Sequence, residues 1–226
     1  MKILNSDNNF PVLPTKWEEN PYQEDYYERD YFVCADGWKE FPEHHCKLTW
    51  LTSKPFIKNK RNALDIGCRD GEYTRYLQHD FEHVYCFDYR RRRAFPVNVS
   101  LKNVTHFHCG LAETRMTEKV SGGSNMKSQK IPQEKWYEYQ FYSIDEFNIE
   151  NVDYIKMDVD GFERRILKGA ANTIEKYKPL IILEQAFGDT TGIDYLTEYH
   201  NYEVVAWDES HYNVVLREKN NENINT

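Results

Sequence analysis

The chain has 226 residues, 40% of them hydrophobic, and a net charge of -8. That length suits one large domain or one domain with an appendage, and the apolar share is enough for a core. The acidic balance argues against a general nucleic-acid binder, whose footprint is basic, although it leaves room for a local basic patch.

Residues 1–40 are polar and rich in Tyr and acidic residues, and they predict an irregular arm that packs on the remainder through its aromatics. "EHHCKLTWLTSK" predicts a short helix that Pro55 ends, because proline has no N–H to continue it. The pattern then becomes regular. "NALDIG" (62–67) reads as a strand, "GEYTRYLQHDF" as a helix with Tyr73, Tyr76 and Leu77 on one face, and "HVYCFD" (83–88) as a second strand. "NVTHFHC" (103–109) is a third. The stretch 113–140 breaks the rhythm, and its Gly122–Gly123 centre predicts a mobile excursion. Ser143 with Glu146 has capping-box spacing. "VDYIKMDV" (152–159) is a strand and "GFERRILKGAANTIEKY" one amphipathic helix. "KPLIILEQ" (178–185) has the continuous apolar character of a strand buried on both faces. "YEVVAW" and "YNVVLRE" flank "DESH" and predict an antiparallel hairpin, and the tail 219–226 is expected to be disordered.

Strand and helix alternating in this way predict an α/β protein with a mostly parallel sheet and helices on both faces. The expected organisation is an arm over 1–55, a main domain over 56–218 and a short tail. Five cysteines without a CxxC pair read as free thiols of a reduced, cytoplasmic protein. Cys34, His44, His45 and Cys46 fit no usual zinc spacing. "MKILNSDNNFPVLP" lacks the apolar centre of a signal peptide, and "PLIILEQAF" is too short to span a membrane.

"ALDIGCRDGEYT" closes the first strand and opens a helix, with Gly67 and Gly71 allowing a tight turn and the approach of a ligand. Asp88 ends the next strand, where an acid in a nucleotide-binding sheet accepts hydrogen bonds from ribose hydroxyls. A pyrophosphate needs anion-friendly amides at this turn. Asp65, Asp70 and Glu72 crowd it instead, which suits S-adenosylmethionine with its ammonium and sulfonium. The glycine spacing is also not that of an NAD site, and no P-loop lysine follows.

In "MDVDGFERRILKGA", Asp158 ends the fourth strand, so it should face the same crevice as Gly67. There it can orient a methyl donor or take a proton from an acceptor hydroxyl. Glu163 is explained equally well by the favourable charge of a helix's first turn, and Asp160 stands between the two readings. Asp158, Asp160 and Glu184 offer oxygen ligands for a magnesium ion, a reading placed below that of no metal. His44, His45, His106 and His108 are alternative bases. Arg90 to Arg93 form the sharpest local charge, a solvated face or a phosphate contact. Tyr89 is placed to lie against adenine or ribose.

Asp65, Gly67, Gly71 and Thr74, followed by "VYCFD", resemble the opening motif of the FkbM-type S-adenosylmethionine methyltransferases. "YIKMDVDGFERRILKGA" resembles that family's second hallmark, and "KPLIILE" its next strand. The resemblance covers roughly 60–185. It implies a class I methyltransferase (Rossmann-like) fold, a seven-stranded sheet whose last pair is the hairpin. It also implies methylation of a sugar or other small hydroxylated acceptor. Together with the residue pattern, the expected site has Asp65, Gly67, Gly71, Thr74, Asp88 and Tyr89 toward the cofactor, Asp158 as the catalytic residue, and Asp160 and Glu184 toward the acceptor. The alternatives are a nucleic-acid methyltransferase using Arg90–Arg93 and a magnesium-dependent O-methyltransferase. The chain departs from the family in Asp88–Tyr89, where Glu-Pro is common, and in Asp160, where Glu is common.

Overall fold

The computed structural model describes residues 31–34, 39–42, 45–90, 94–121, 136–185, 188–210 and 212–220. The expectations for residues 1–30, Arg91–Arg93, 122–135 and the end of the tail (221–226) lie outside the described residues, as do those for the side chains of Cys34, His44 and His45.

In chain order, β1 (Tyr31–Cys34) and β2 (Lys39–Pro42) pair antiparallel as a separate ribbon. Helix α1 (His45–Ser53) passes at Pro55 into a single 3-10 turn, Lys54–Phe56. β3 (Asn62–Ile66), α2 (Thr74–Asp80), β4 (His83–Phe87), α3 (Phe95–Asn98) and β5 (Val104–Phe107) follow. β6 (Gly110–Leu111), β7 (Met116–Ser121) and β8 (Trp136–Tyr142) form a three-stranded sheet of their own. β9 (Val152–Met157), α4 (Glu163–Lys168), α5 (Ala171–Tyr177), β10 (Leu180–Glu184), α6 (Thr191–Tyr199), β11 (Tyr202–Trp207) and β12 (Asn213–Glu218) complete the chain.

The central sheet has seven strands in the order β11-β12-β10-β9-β3-β4-β5. Every pairing among β3, β4, β5, β9 and β10 is parallel, and β12 is antiparallel to both its neighbours, β10 and β11. The chain runs outward from β3 to β5 on one side and from β9 to β10 on the other. The order therefore reverses between β3 and β9, and a crevice opens beyond the carboxyl ends of those two strands.

Alternation along each strand builds two cores. Leu64, Ile66, Ile155, Met157, Ile181 and Leu183 face one way and meet Ile166, Ile174 and Leu196 of α4, α5 and α6. Ala63, Val84, Tyr154 and Ile182 face the other way and meet Trp50, Leu77 and Phe95 of α1, α2 and α3. Each fully buried Leu, Ile or Phe contributes about 1.5–3 kcal/mol of transfer free energy, so helices on both faces follow from the two-sided apolar strands.

Two elements differ from the sequence expectation. The single helix expected after β9 is two, because Asp145 accepts hydrogen bonds from the amides of Asn172 (3.0 Å) and Thr173 (2.9 Å) and so caps a new helix start. Both flanks of the expected mobile excursion are strands. β7 and β8 pair from Met116↔Phe141 to Ser121↔Trp136, with Val120 and Phe141 buried. Apolar alternation and β-forming residues carry these two flanks, while Gly122–Gly123 lie outside the described residues.

Candidate active site

Two strand-to-helix turns meet at the crevice. The first leaves β3 through Gly67 (φ +80°), whose amide donates to the Phe87 carbonyl (2.9 Å). The amide of Asp158 donates to the Ile66 carbonyl (3.0 Å), which presses the second turn against the first. A Cβ at position 67 would fall 1.9 Å from the Asp158 carbonyl oxygen, so only glycine admits this contact.

Behind the first turn, Asp65 is fully buried and accepts a hydrogen bond from the Thr74 hydroxyl. Burial pushes its carboxyl up to about 6, against the Thr74 hydrogen bond and the nearby Lys156 ammonium, which both favour the ionised form. Lys156 stands beside Asp65 in the β3–β9 register. At the end of β4, Asp88 accepts from the amides of Arg69 (3.0 Å) and Arg90 (2.7 Å), which fixes its carboxylate on the crevice wall. The next residue, Tyr89, packs edge-on against Tyr139 (4.9 Å between ring centroids), with the Arg90 guanidinium 5.1 Å from its own ring. Glu72 accepts from the Asp70 amide (3.1 Å), and burial raises it to about 7, opposed by Arg69.

The second turn carries the charge. Asp158 keeps 50% of its side-chain surface open, and its Oδ2 is 3.5 Å from Lys156 Nζ. Burial pushes its carboxyl up, but the Lys156 ammonium and a hydrogen bond with Glu184 more than offset this and hold it below the ordinary carboxylate value. Glu184, at the end of β10, moves the other way. Burial, its hydrogen bond to Asp158 and the repulsion of that carboxylate raise it to about 8. The two carboxyls titrate as a pair, in which Lys156 favours the ionised form of Asp158 while burial and Asp158 favour the protonated form of Glu184. Asp160 sits in a left-handed conformation (φ +53°), its carboxyl raised by burial and by Asp158. Glu163 is not on the cavity wall, and its Oε1 accepts from the Val159 amide (3.2 Å), which braces the turn before α4. Its charge also suits the first turn of that helix.

These groups line one cavity of about 730 Å³. Asp65, Gly67, Asp88, Tyr89, Asp158, Asp160 and Glu184 all stand on its wall. Gly71 and Thr74 do not. A Cβ on Gly71 would fall 2.5 Å from Val99 Cγ2, so that glycine serves the packing of α2 on α3, and Thr74 acts through Asp65. Of the histidines considered as bases, His106 is buried on β5, its ring tilted against Phe95 (4.2 Å between centroids) and pushed down to about 3 by burial, and His108 is not on the cavity wall.

Sequence reasoning missed Lys156, although residues two apart on a strand share a face and Lys156 precedes Asp158 by two. It also missed Thr49, Tyr212 and Asn213, whose sequence neighbourhood carries no such signal. Among the described residues no three His, Cys, Asp or Glu side chains are grouped as ligands of a metal ion. Among them also, no helix is long and apolar enough to cross a membrane.

The donor set fits S-adenosylmethionine. Carboxylates of Asp65, Glu72 and Asp158 surround the glycine turn, where a cationic ligand is favoured and a pyrophosphate repelled, and Asp88 offers an acceptor to hydroxyls one strand away. The strand order, the lone antiparallel strand beside the sheet edge and this crevice define a class I methyltransferase fold. Residues 58–207 match the methyltransferase FkbM domain family, and the chain belongs to that family. Its methyl donor is accordingly S-adenosylmethionine.

Among solved structures, the chain is similar to the methyltransferase FkbM from Methylobacillus flagellatus KT, at 18% identity and a TM-score of 0.53 over 75% of this chain and 47% of that one. The chain thus spans about half the length of that protein. A precorrin-8w decarboxylase from Methanobacterium thermoautotrophicum (14% identity, TM-score 0.45, 79% and 91% covered) is also similar. So is a precorrin-6y C5,15-methyltransferase from Geobacter metallireducens GS-15 (12% identity, TM-score 0.45, 82% and 91% covered). No protein of curated function matches the sequence.

Proposed function

We propose that this protein methylates a hydroxyl of a small hydroxylated acceptor, a sugar in the first instance, in the cytoplasm. The observation that carries the reading is one cavity whose wall holds Gly67, Asp88 and Asp158 together, in a chain of the FkbM family. The free thiols of Cys46, Cys68, Cys86 and Cys109 support a reducing compartment. In this reading residues 56–218 are the methyltransferase domain, and 1–55 are an arm whose α1 walls part of the cavity.

Asp65, Gly67, Asp88 and Tyr89 would hold the donor, with Gly71 and Thr74 supporting the turn from behind. Bound there, S-adenosylmethionine supplies a methyl carbon activated by its sulfonium. The chain's own work is alignment in a site cleared of water. Ile66, Phe87, Leu111 and Phe141 supply apolar wall. Asp158 is kept ionised by Lys156 and accepts the proton that the acceptor hydroxyl gives up. Asp160 and Glu184 flank it on the acceptor's approach.

Calorimetric titration with S-adenosylmethionine tests the reading. Saturable binding is expected, and an absence of heat at high micromolar ligand sinks it. Asp88→Ala should weaken binding about ten- to hundredfold, the loss of a hydrogen bond to a charged group. Unchanged affinity removes Asp88 from the donor side.

A further inference from the structure

The cavity has a second half that the donor-binding turn does not occupy. Cys46 and Thr49 of α1, Glu184 of β10, and Ser210, Tyr212 and Asn213 at the β11–β12 connection wall it. Asp208 ties these elements together. It is 1% exposed and accepts from Thr49 Oγ1 (2.7 Å), Ser210 Oγ (2.7 Å), Asn213 Nδ2 (2.8 Å) and the Asn213 amide (3.3 Å). Four hydrogen bonds use the acceptor capacity of a carboxylate, so the group is a satisfied structural anchor joining residues 159 positions apart. Glu184 stands directly opposite Asn213 in the β10–β12 register, which puts both side chains on one face.

Tyr212 differs from the rest of this wall. It lines the cavity while keeping 63% of its surface exposed. A single exposed aromatic is ordinary in itself. This one is held in place. Its carbonyl accepts from the Gln185 amide (2.6 Å), and its amide donates to Ser210 Oγ (3.4 Å), which Asp208 in turn holds. A ring with a free face on a fixed backbone can receive the C–H face of a saturated ring against its negative π surface. The charged groups at this end are Asp158 and Asp160, with Lys156 held at 3.5 Å from Asp158; Glu184 beside them is raised to about 8 by burial and by Asp158, and Arg69 and Arg90 stand on the donor turns of the same wall. A phosphate or carboxylate on the acceptor would meet like charge.

The geometry points to this half as the acceptor subsite, fitted to a neutral polyhydroxylated ring that lies on Tyr212 and turns a hydroxyl toward Asp158. The assignment rests on the methyltransferase reading and deepens it. Asp208 is a positioning residue that fixes the two walls, and Tyr212 is the specificity-determining contact.

Saturation-transfer NMR on the full chain, with S-adenosylhomocysteine present, tests it. Methyl α-glucoside is the neutral probe, and glucose 6-phosphate and glucuronate are its anionic counterparts. Saturation should reach the ring protons of methyl glucoside in the wild type and in Tyr212→Phe, and exceed that of the anionic probes. In Tyr212→Ala the affinity should fall about fivefold or more, the worth of one ring contact. S-adenosylhomocysteine should bind all three proteins alike, which also shows that the exposed substitution leaves the fold intact. Three results overturn the acceptor assignment alone, provided that S-adenosylhomocysteine still binds: no transfer to methyl glucoside, preference for an anionic probe, or undiminished affinity in Tyr212→Ala. Absence of S-adenosylhomocysteine binding overturns the methyltransferase reading and this assignment with it.

Discussion

The turn after β3 and the turn after β9 end neighbouring strands, open on the same cavity and touch through backbone, yet they are built in opposite ways. The first is stripped: Gly67 has no side chain because the Asp158 carbonyl occupies the place where one would go. The second is armed: Asp158 and Asp160 project from it, and Gly161 (φ +95°) meets no atom within 4 Å of where its Cβ would stand. A glycine in each turn therefore means different things. Gly67 answers to packing and backbone conformation together, Gly161 to backbone conformation alone. One turn gives up its side chain so that the other can bring charge close to a ligand.

The sharpest break of this contrast is the pair Gly67→Ala and Gly161→Ala. The first should cost well over 2 kcal/mol and abolish donor binding, because a Cβ cannot share space with the Asp158 carbonyl. The second should cost about 1–2 kcal/mol, the left-handed penalty of an L-residue. Urea unfolding checks both, and equal losses would erase the distinction between the turns. Next in size, Asp158→Asn should lower kcat by about 10²- to 10⁴-fold, the usual worth of a general base, with the melting temperature nearly unchanged. Unchanged turnover removes Asp158 as the base.

A smaller effect concerns the coupled pair. Glu184 loses its proton near pH 8, and the pair with Asp158 then carries a second negative charge and a higher proton affinity. We expect kcat/KM to rise between pH 7 and 9 and Glu184→Gln to flatten that rise. The stability sign is opposite. The folded value of Glu184 lies above its ordinary 4.5, so the folded state holds the proton more tightly, and the stability this gives is lost as pH climbs through about 8. Chemical denaturation of the wild type and Glu184→Gln from pH 5 to 9 reads this directly. The smallest expected effect is Glu163→Gln, with less than about 1 kcal/mol lost and kcat unchanged, since the residue braces the turn before α4 and its charge only suits that helix's first turn. A large fall in kcat would place Glu163 in the site.

Much of this was legible in the residues. Apolar runs of four to six residues separated by helical periodicity foretold the parallel sheet, and the strand-end positions of Asp65, Asp88, Asp158 and Glu184 brought them to one crevice, because strand ends share one edge of a parallel sheet. Misreadings arose where distant contacts override local signals. The break between α4 and α5 comes from Asp145, which lies outside that helix in the chain. The pairing of β7 with β8 depends on partners across an interval of Gly and Ser that reads as a loop. Thr74 lies behind the turn, where its hydroxyl donates to Asp65, a contact that the motif spacing does not display.

The residues by themselves determined the alternation of strand and helix around the central sheet, the glycine turn at position 67 and the presence of acids at the strand ends. Periodicity and backbone conformation are local properties, written in the identity of each residue and its near neighbours. The tertiary structure decided which acids keep their charge. Lys156 favours the ionised form of Asp158 while burial and Asp158 together favour the protonated form of Glu184, 26 residues further along the chain. It also decided that α1 and the β11–β12 connection meet at Asp208 to wall the same cavity. Both outcomes depend on distance and on exclusion of water, which arise only when segments far apart in sequence come to share one interior.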